Sequence, residues 1–267
     1  MKILNGLELA DFIKERQAHD VRRLRQSKNI IPKLAIIQCK DDQVINTYVR
    51  LKKKYGADIL VEVDTYQVKQ AEIPLLVDKL NNDPAVHGII IQLPIEDVSK
   101  TEEIINLVAP SKDVDSLGSK ATFDPATPMA ILWLLAGYNI DLQGKKIVLI
   151  GRGKLVGGPL EKILLKSGYD VEVVDRTAKD LSQHTLDADI IITATGSPAI
   201  LYSGTIKQGA VVVDAGVASE SGKTVGDLAD DVYERDDLTI TPRKGGVGPL
   251  TVCALFENVI RAASSVA

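Results

Sequence analysis

The chain lacks several features that would announce a function early. Only two of its 267 residues are cysteine, Cys39 and Cys253, far apart and without a CxxC partner. That excludes a disulfide framework and a cysteine-built zinc site, and it points to a reducing compartment. The three histidines, His19, His87 and His184, are isolated, with no pair at metal-ligand spacing, so no metal is expected. Positive charge is not in excess: 32 Lys and Arg face 36 Asp and Glu, for a net charge of -4. This argues against a nucleic-acid partner, which asks for a basic face. No apolar run reaches the length of a membrane span, so no membrane partner is expected. The opening residues Met1-Lys2-Ile3-Leu4-Asn5 carry no signal-peptide apolar stretch, and a cytoplasmic location is the expectation. No internal repeat or low-complexity tract is visible. What remains, 45% hydrophobic and 25% charged residues, is the composition of a globular protein, long enough for one large domain or two ordinary ones.

Helix-like and strand-like patterns alternate along the chain. In the first half, residues 7–25 have helical apolar spacing, 33–39 read as a strand, and 46–55 as a strongly basic helix. Residues 59–63 read as a strand, 73–80 as a helix, 87–93 as a wholly apolar strand and 101–108 as a helix. Strands separated by helices imply right-handed crossovers and a parallel sheet. Residues 110–128 hold Pro110, Gly118, Pro125 and Pro128 and break this rhythm, as a segment between domains does. Residues 129–136 read as a connector helix, with Trp133 and Leu134 in the core. A second series follows, with strands expected at 147–150, 171–174, 189–193 and 211–214 and a last helix at about 250–263. The expected fold class is α/β: two α/β domains with parallel sheets, separated by a cleft.

The most informative local signal begins at Gly151. Gly151-x-Gly153-x-x-x-Gly157 follows an apolar strand, precedes a helix-like stretch at 160–165, and is followed by a second strand that ends at Asp175. Strand, glycine turn and helix start together can hold a dinucleotide pyrophosphate. Glycine lets the backbone approach closely, and the first amides of the helix supply donors. A tight turn with no ligand is the plainer alternative. Asp175 and Arg176 fall where an adenosine ribose is read, and they argue opposite ways. A carboxylate accepts from the 2′-hydroxyl of NAD and repels the 2′-phosphate of NADP, whereas Arg152 and Arg176 would clamp that phosphate. Thr193-Ala194-Thr195-Gly196-Ser197-Pro198 and Asp214-Ala215-Gly216 also lie at strand ends, where open α/β sheets bind ligands. Ser221-Gly222-Lys223-Thr224 looks like the end of a phosphate-binding loop, but Val217 stands where that loop needs its first glycine. A polar turn is expected there.

In the first half, Tyr48 and Lys52 are four residues apart and share a helix face. Alone, that pair reads as part of a solvated basic face. Other segments shift the balance: Gly88-Ile89-Ile90-Ile91-Gln92-Leu93-Pro94, Lys112-Asp113-Val114-Asp115, Pro125-Ala126-Thr127-Pro128 and Gly245-Gly246-Val247-Gly248-Pro249-Leu250-Thr251. In this order and spacing the segments resemble the bifunctional methylenetetrahydrofolate dehydrogenase/cyclohydrolase family, the FolD proteins, over nearly the whole chain.

The resemblance implies a catalytic domain at residues 1–125 completed by a helix at 250–267, and a Rossmann-like domain with its connector helix at 126–249. It implies oxidation of 5,10-methylenetetrahydrofolate with NADP or NAD, then hydrolysis of the methenyl product to 10-formyltetrahydrofolate. Lys52 matches the catalytic lysine, Tyr48 the active-site tyrosine, Gln92 the glutamine that contacts the lysine, and Asp115 the carboxylate that holds the pterin. Leu93, Pro94, Gly246, Pro249 and Thr251 would complete the folate site. Gly151, Arg152, Gly153, Val156, Gly157, Asp175, Arg176, Thr195, Gly196, Gly216 and Val217 would line the cofactor. A homodimer and a reduced folate, with or without a polyglutamate tail, are the implied partners.

The sequence departs from the family pattern in places. Ala126 replaces a usual cysteine, Gly153 a usual serine, and Asp175 stands where a phosphate-binding serine is expected. Arg243 and Lys244 add two cations before the last glycine cluster, where they would bear on the cofactor or the folate tail. Gly56 comes early and reads as shortening the basic helix by about one turn. Two alternatives stay open: a dehydrogenase with weak or absent cyclohydrolase activity, and a non-catalytic nicotinamide- or folate-binding module.

Overall fold

The structure is a computed structural model that describes residues 1–175, 178, 180–220 and 223–265. In chain order its elements are β1 (Lys2–Ile3), α1 (Gly6–Lys28), β2 (Lys33–Gln38), α2 (Gln43–Asp58), β3 (Glu62–Gln67), α3 (Ile73–Asn82), β4 (Gly88–Ile91), α4 (Thr101–Ile105) and α5 (Ala126–Gly137). There follow β5 (Ile147–Ile150), α6 (Gly157–Lys166), β6 (Val171–Val174), α7 (Ser182–Thr185), β7 (Ile190–Thr193), β8 (Val211–Asp214), β9 (Ala218–Glu220), β10 (Lys223–Val225), β11 (Thr239–Ile240) and α8 (Val247–Ser265). Among the described residues no helix is long and apolar enough to cross a membrane.

The chain divides into two compact units, one of Met1–Ala10 with Thr127–Thr251, the other of Asp11–Ala126 with Val252–Ala267. Both are α/β with parallel sheets. The second unit holds a three-stranded sheet in the order β3-β2-β4, and both pairings are parallel. Its centre reads as continuous apolar sequence because β2 and β4 are covered on both faces. Ala35, Ile37, Ile89 and Ile91 pack with Ile73, Val77 and Leu80 of α3. The edge strand β3 is different. None of its side chains is buried, and its sequence Glu-Val-Asp-Thr-Tyr-Gln carries little apolar signal. The strand expected at 59–63 is therefore displaced. Ile59 and Val61 are buried, but they form the turn that follows α2, where the Ile59 amide donates to Tyr55 O at 3.2 Å and that of Val61 to Gly56 O at 2.9 Å.

The first unit holds a six-stranded sheet ordered β1-β11-β8-β7-β5-β6, parallel throughout. From β5 the chain moves out to β6 and then returns to the other side for β7. The order reverses at β5, and such a reversal opens a ligand site beyond the carboxyl ends of the strands. Three sequence expectations need correction here. The first ten residues belong to this unit rather than to the first-half domain: β1 pairs with β11, and the Leu4 amide donates to Ile240 O at 2.8 Å. Lys223 and Thr224, expected in a polar turn, begin β10, which pairs antiparallel with β9; Ser221 and Gly222 lie outside the described residues. The helix carrying Lys52 is not cut short at Gly56 but continues to Asp58. A Cβ on Gly56 would lie 2.5 Å from Val63 Cγ2 and 3.2 Å from the Phe256 ring, so this glycine marks a tight packing contact.

Candidate active site

Helix α2 starts where Asp42 accepts the Ile45 amide at 3.1 Å, a side-chain cap for one of the free donors of the first turn. Its buried face carries Ile45 and Val49, and Lys52 and Gly56 continue that stripe at helical spacing. Lys52 thus occupies a position where an apolar residue would be ordinary, while Lys53 and Lys54 face solvent. The plain reading of a solvated basic face fits Lys53 and Lys54 but not Lys52. The helix is anchored three residues later: Tyr55 donates to Gln17 Oε1 at 2.7 Å and its ring lies 5.0 Å from that of Phe256.

Lys52 Nζ donates to Gln92 Oε1 at 2.7 Å. Gln92 directly follows β4, and its amide donates to Ile37 O at the end of β2 at 2.8 Å, so the lysine reaches the carboxyl end of the three-stranded sheet. Burial pushes the Lys52 pKa down, opposed by the charge of Asp115. Burial pushes Asp115 up, with Lys52 opposing and Asp113 adding to the rise. The structure therefore brings together Lys52, Gln92 and Asp115. Tyr48 lies one turn earlier on α2 and is exposed. Leu93 is partly buried against the α3 core, and Pro94 is exposed after a cis bond.

The Lys112–Asp115 motif separates into distinct jobs. Lys112 Nζ donates to Leu80 O at 2.9 Å and to Asp83 O at 2.6 Å, closing the end of α3. Asp113 is buried and accepts the amides of Leu117 at 3.3 Å and Gly118 at 2.8 Å. Val114 is fully buried, and a Cβ on Gly88 would lie 2.9 Å from it. Asp115 is the residue of this motif whose charge acts on Lys52. Asn258 of α8 secures the segment by donating to Val114 O at 2.9 Å and Asp124 O at 2.8 Å.

In the other unit the glycine loop lies at the reversal point. The Gly151 amide donates to Val174 O at 2.9 Å and the Ala194 amide to Ile150 O at 2.9 Å, so the loop ends of β5, β6 and β7 lie side by side. Gly151 has φ +98° and a Cβ there would strike Ala194 O at 2.8 Å; one on Gly157 would fall 1.9 Å from Gly151 O. Backbone passes backbone here with no room for a side chain, the kind of cradle a pyrophosphate needs. Pro159 sits in the first turn of α6, where a missing amide costs no helical bond. The loop residues thus fit a dinucleotide. Val156 is half-buried, and Asp175 and Val217 are exposed; Arg176 lies outside the described residues.

Thr195, Gly196 and Gly216 are held by two carboxylates that sequence reasoning missed or undervalued. Asp227, 0% exposed, accepts the Thr195 amide at 2.8 Å and the Ser197 amide at 3.0 Å. Asp214 accepts the amides of Gly216 at 2.9 Å, Asp227 at 3.0 Å and Leu228 at 3.3 Å, and the Thr193 hydroxyl at 3.2 Å. A Cβ on Gly216 would lie 2.0 Å from Asp227 Oδ1, and one on Gly226 2.0 Å from Asp214 Oδ2. Each carboxylate lies against a glycine in the other's strand-end segment, a pattern that offers a signal when Gly216 and Gly226 are read together. Gly246, Pro249 and Thr251 belong to this same unit. The start of α1 packs on Gly246, since a Cβ on Gly6 would fall 1.8 Å from the Gly246 carbonyl oxygen. Pro249 opens α8, and the Thr251 hydroxyl donates to Val247 O at 3.3 Å.

Residues 4–115 match the family described as tetrahydrofolate dehydrogenase/cyclohydrolase, catalytic domain. Residues 125–267 match its NAD(P)-binding domain. The chain belongs to the tetrahydrofolate dehydrogenase/cyclohydrolase family. It is similar to the bifunctional protein FolD of Campylobacter jejuni strain RM1221, 37% identical over 280 residues and covering 99% of each chain. It is also similar to the crystal structure of the bifunctional FolD enzyme from Campylobacter jejuni, with TM-score 0.93, 37% identity and complete coverage of both chains. The Trypanosoma brucei FolD structure, complexed with NADP and an inhibitor, gives TM-score 0.93 at 29% identity over 99% of this chain and 97% of that one.

Against the family pattern, the departures now have a structural context. Nothing lies within 4 Å of a Cβ on Gly153, so the loop tolerates glycine or serine equally in space. Arg243, expected beside the cofactor or folate tail, is engaged within its own unit: it pairs with Asp230, and its guanidinium stacks over the Tyr233 ring at 4.1 Å. Ala126 is buried, so this small residue packs rather than reacts.

Proposed function

We propose that the chain oxidises 5,10-methylenetetrahydrofolate with a nicotinamide dinucleotide and hydrolyses the 5,10-methenyl product to 10-formyltetrahydrofolate. The family's two domains, both present in this chain, support the pair of activities. The observation that carries the residue roles is the 2.7 Å hydrogen bond from Lys52 to Gln92 on the buried stripe of α2. A bound nicotinamide dinucleotide would supply the hydride acceptor for the methylene carbon. The protein's own groups then handle binding and protons.

Asp115 offers two acceptor oxygens to the amino and ring N–H donors of a pterin. Lys52, its pKa lowered by burial, has a larger neutral fraction at moderate pH than an ordinary lysine. A cationic methenyl substrate would depress it further. The neutral amine accepts a proton from the water as its oxygen bonds to the methenyl carbon. The resulting ammonium returns that proton to N5 as the bond between N5 and that carbon breaks, and the hydroxyl proton leaves to solvent, so that the formyl group stays on N10. Gln92 fixes the amine by accepting one of its N–H bonds, which sets the direction of the lone pair. Tyr48, exposed one turn before Lys52, offers an aromatic face and a hydroxyl to the folate. The loops at Gly151–Gly157, Thr195–Gly196 and Gly216 hold the dinucleotide.

Separate assays of methylene oxidation and methenyl hydrolysis test the assignment. Replacing Lys52 by Met lowers hydrolysis by roughly 10²- to 10⁴-fold, the usual worth of a positioned base, with a smaller loss of oxidation. Hydrolysis at the full rate in that variant removes Lys52 from its role.

A further inference from the structure

Among the described residues, Arg152 is the cation placed to meet a 2′-phosphate, and it already has a partner. Arg152 follows Gly151, whose amide is bonded to the last residue of β6, and Asp175 is the next residue after that strand. Arg152 thus belongs to the corner of the sheet where an adenosine ribose is read. Its guanidinium, however, makes a two-point contact with Glu161 on α6: Nε to Oε2 at 2.7 Å and a terminal nitrogen to Oε1 at 3.0 Å. This is one complete edge of the planar fork, the geometry with which arginine grips a phosphate. The arginine side chain is 66% exposed but that of Glu161 only 13%. The carboxylate is the fixed member of the pair and the arginine is drawn onto it.

We infer that Glu161 is a specificity-determining residue that biases the site toward a dinucleotide with a free 2′-hydroxyl, as in NAD. A 2′-phosphate must strip Arg152 from Glu161, leave that carboxylate without its partner, and approach the exposed Asp175. A 2′-hydroxyl needs no cation and donates to a carboxylate. The open space around Gly153 adds no hydroxyl that would compensate a phosphate. The inference rests on the dinucleotide reading above but not on folate chemistry.

The test is calorimetric titration of NAD and NADP, without folate, into the wild type, Glu161→Gln and the double variant Glu161→Gln/Arg152→Met. Glu161→Gln should raise NADP affinity by roughly tenfold or more, the scale of a charge-assisted hydrogen bond, with NAD affinity changed less than about threefold. The double variant should lose the gain. An unchanged NADP-to-NAD ratio in Glu161→Gln, or a parallel shift of both affinities, overturns the inference. Failure of both dinucleotides to bind any of the three proteins overturns it together with the cofactor reading. A shifted ratio in a chain that does not oxidise methylenetetrahydrofolate supports the inference and sinks only the folate assignment.

Discussion

Both units bury charge at the carboxyl ends of parallel strands, and they satisfy it in opposite ways. In the unit with the three-stranded sheet, Lys52 and Asp115 have opposite signs, and the described contacts of Lys52 are with side chains, Gln92 above all. In the unit with the six-stranded sheet, Asp214 and Asp227 have the same sign and are surrounded by backbone amides. Burial raises the Asp214 pKa as it raises that of Asp115. For Asp214, though, the hydrogen bonds from Asp227, Gly216 and Leu228 oppose the rise. Amides cannot give up their protons to a substrate, so carboxylates held by them fix loop shape. A lysine held by one amide oxygen keeps its proton exchangeable. The first arrangement suits chemistry and the second suits scaffolding.

The sharpest way to break this contrast is to remove one charge from each site. Lys52→Met should reduce hydrolysis by roughly 10²- to 10⁴-fold without loss of stability in a denaturant titration, because a half-buried charge is replaced by an apolar chain of similar length. Asp227→Ala should do the reverse. It leaves the Thr195 and Ser197 amides without their acceptor, at a cost of about 2–4 kcal/mol in stability, and it weakens dinucleotide binding while the folate KM is unchanged. If Asp227→Ala instead keeps both stability and dinucleotide affinity, the scaffolding role fails.

A subtler change is Asp115→Asn. Asp115 raises the Lys52 pKa, so its removal lowers that pKa. The amine is then neutral at more acidic pH, and the rising limb of hydrolysis at saturating substrate should move to lower pH. In the wild type that limb already lies below the lysine value of 10.5, because burial disfavours the protonated form. A limb that stays put or moves to higher pH contradicts the pairing. The smallest expected effect is that of Gly153→Ser. With no neighbour within 4 Å of the added Cβ, stability should change by less than about 0.5 kcal/mol, as read from the thermal midpoint.

The readable part of the sequence was its buried parallel strands, whose β-branched runs at Ile147–Ile150, Val171–Val174 and Val211–Asp214 coincide with the observed elements. The central strand β5 is wholly apolar because all four of its residues are buried, whereas the edge strand β6 is mostly half-buried and carries Glu172 among its valines. The two-residue strands β1 and β11 are too short for any periodicity. Edge strand β3 is too exposed to carry an apolar run. The contact of Lys52 with Gln92, implied by family resemblance, is present. Asp227 and Glu161 were invisible because their partners lie at loop amides 30 or more residues away or nine residues back along the chain. Nothing beside Glu161 marks its contact, whereas Gly226, next to Asp227, is a signal only once it is read with the distant Gly216. Gly56 misled because glycine ends helices by conformation but also permits close packing, and here the packing against Val63 and Phe256 prevails.

The pairing of β1 with β11 bears on how the chain can be made. Lys2 and Ile3 leave the ribosome long before their register partners, Thr239 and Ile240, and the Asp11–Ala126 unit likewise takes in Val252–Ala267. Each sheet can begin to form during synthesis, but neither unit can close until these distant partners have emerged. Contacts this distant in sequence come late because their loop-closure entropy must be overcome first. A chain cut after its first half would leave both units open, so the two activities can be separated by point substitution but not by dividing the polypeptide.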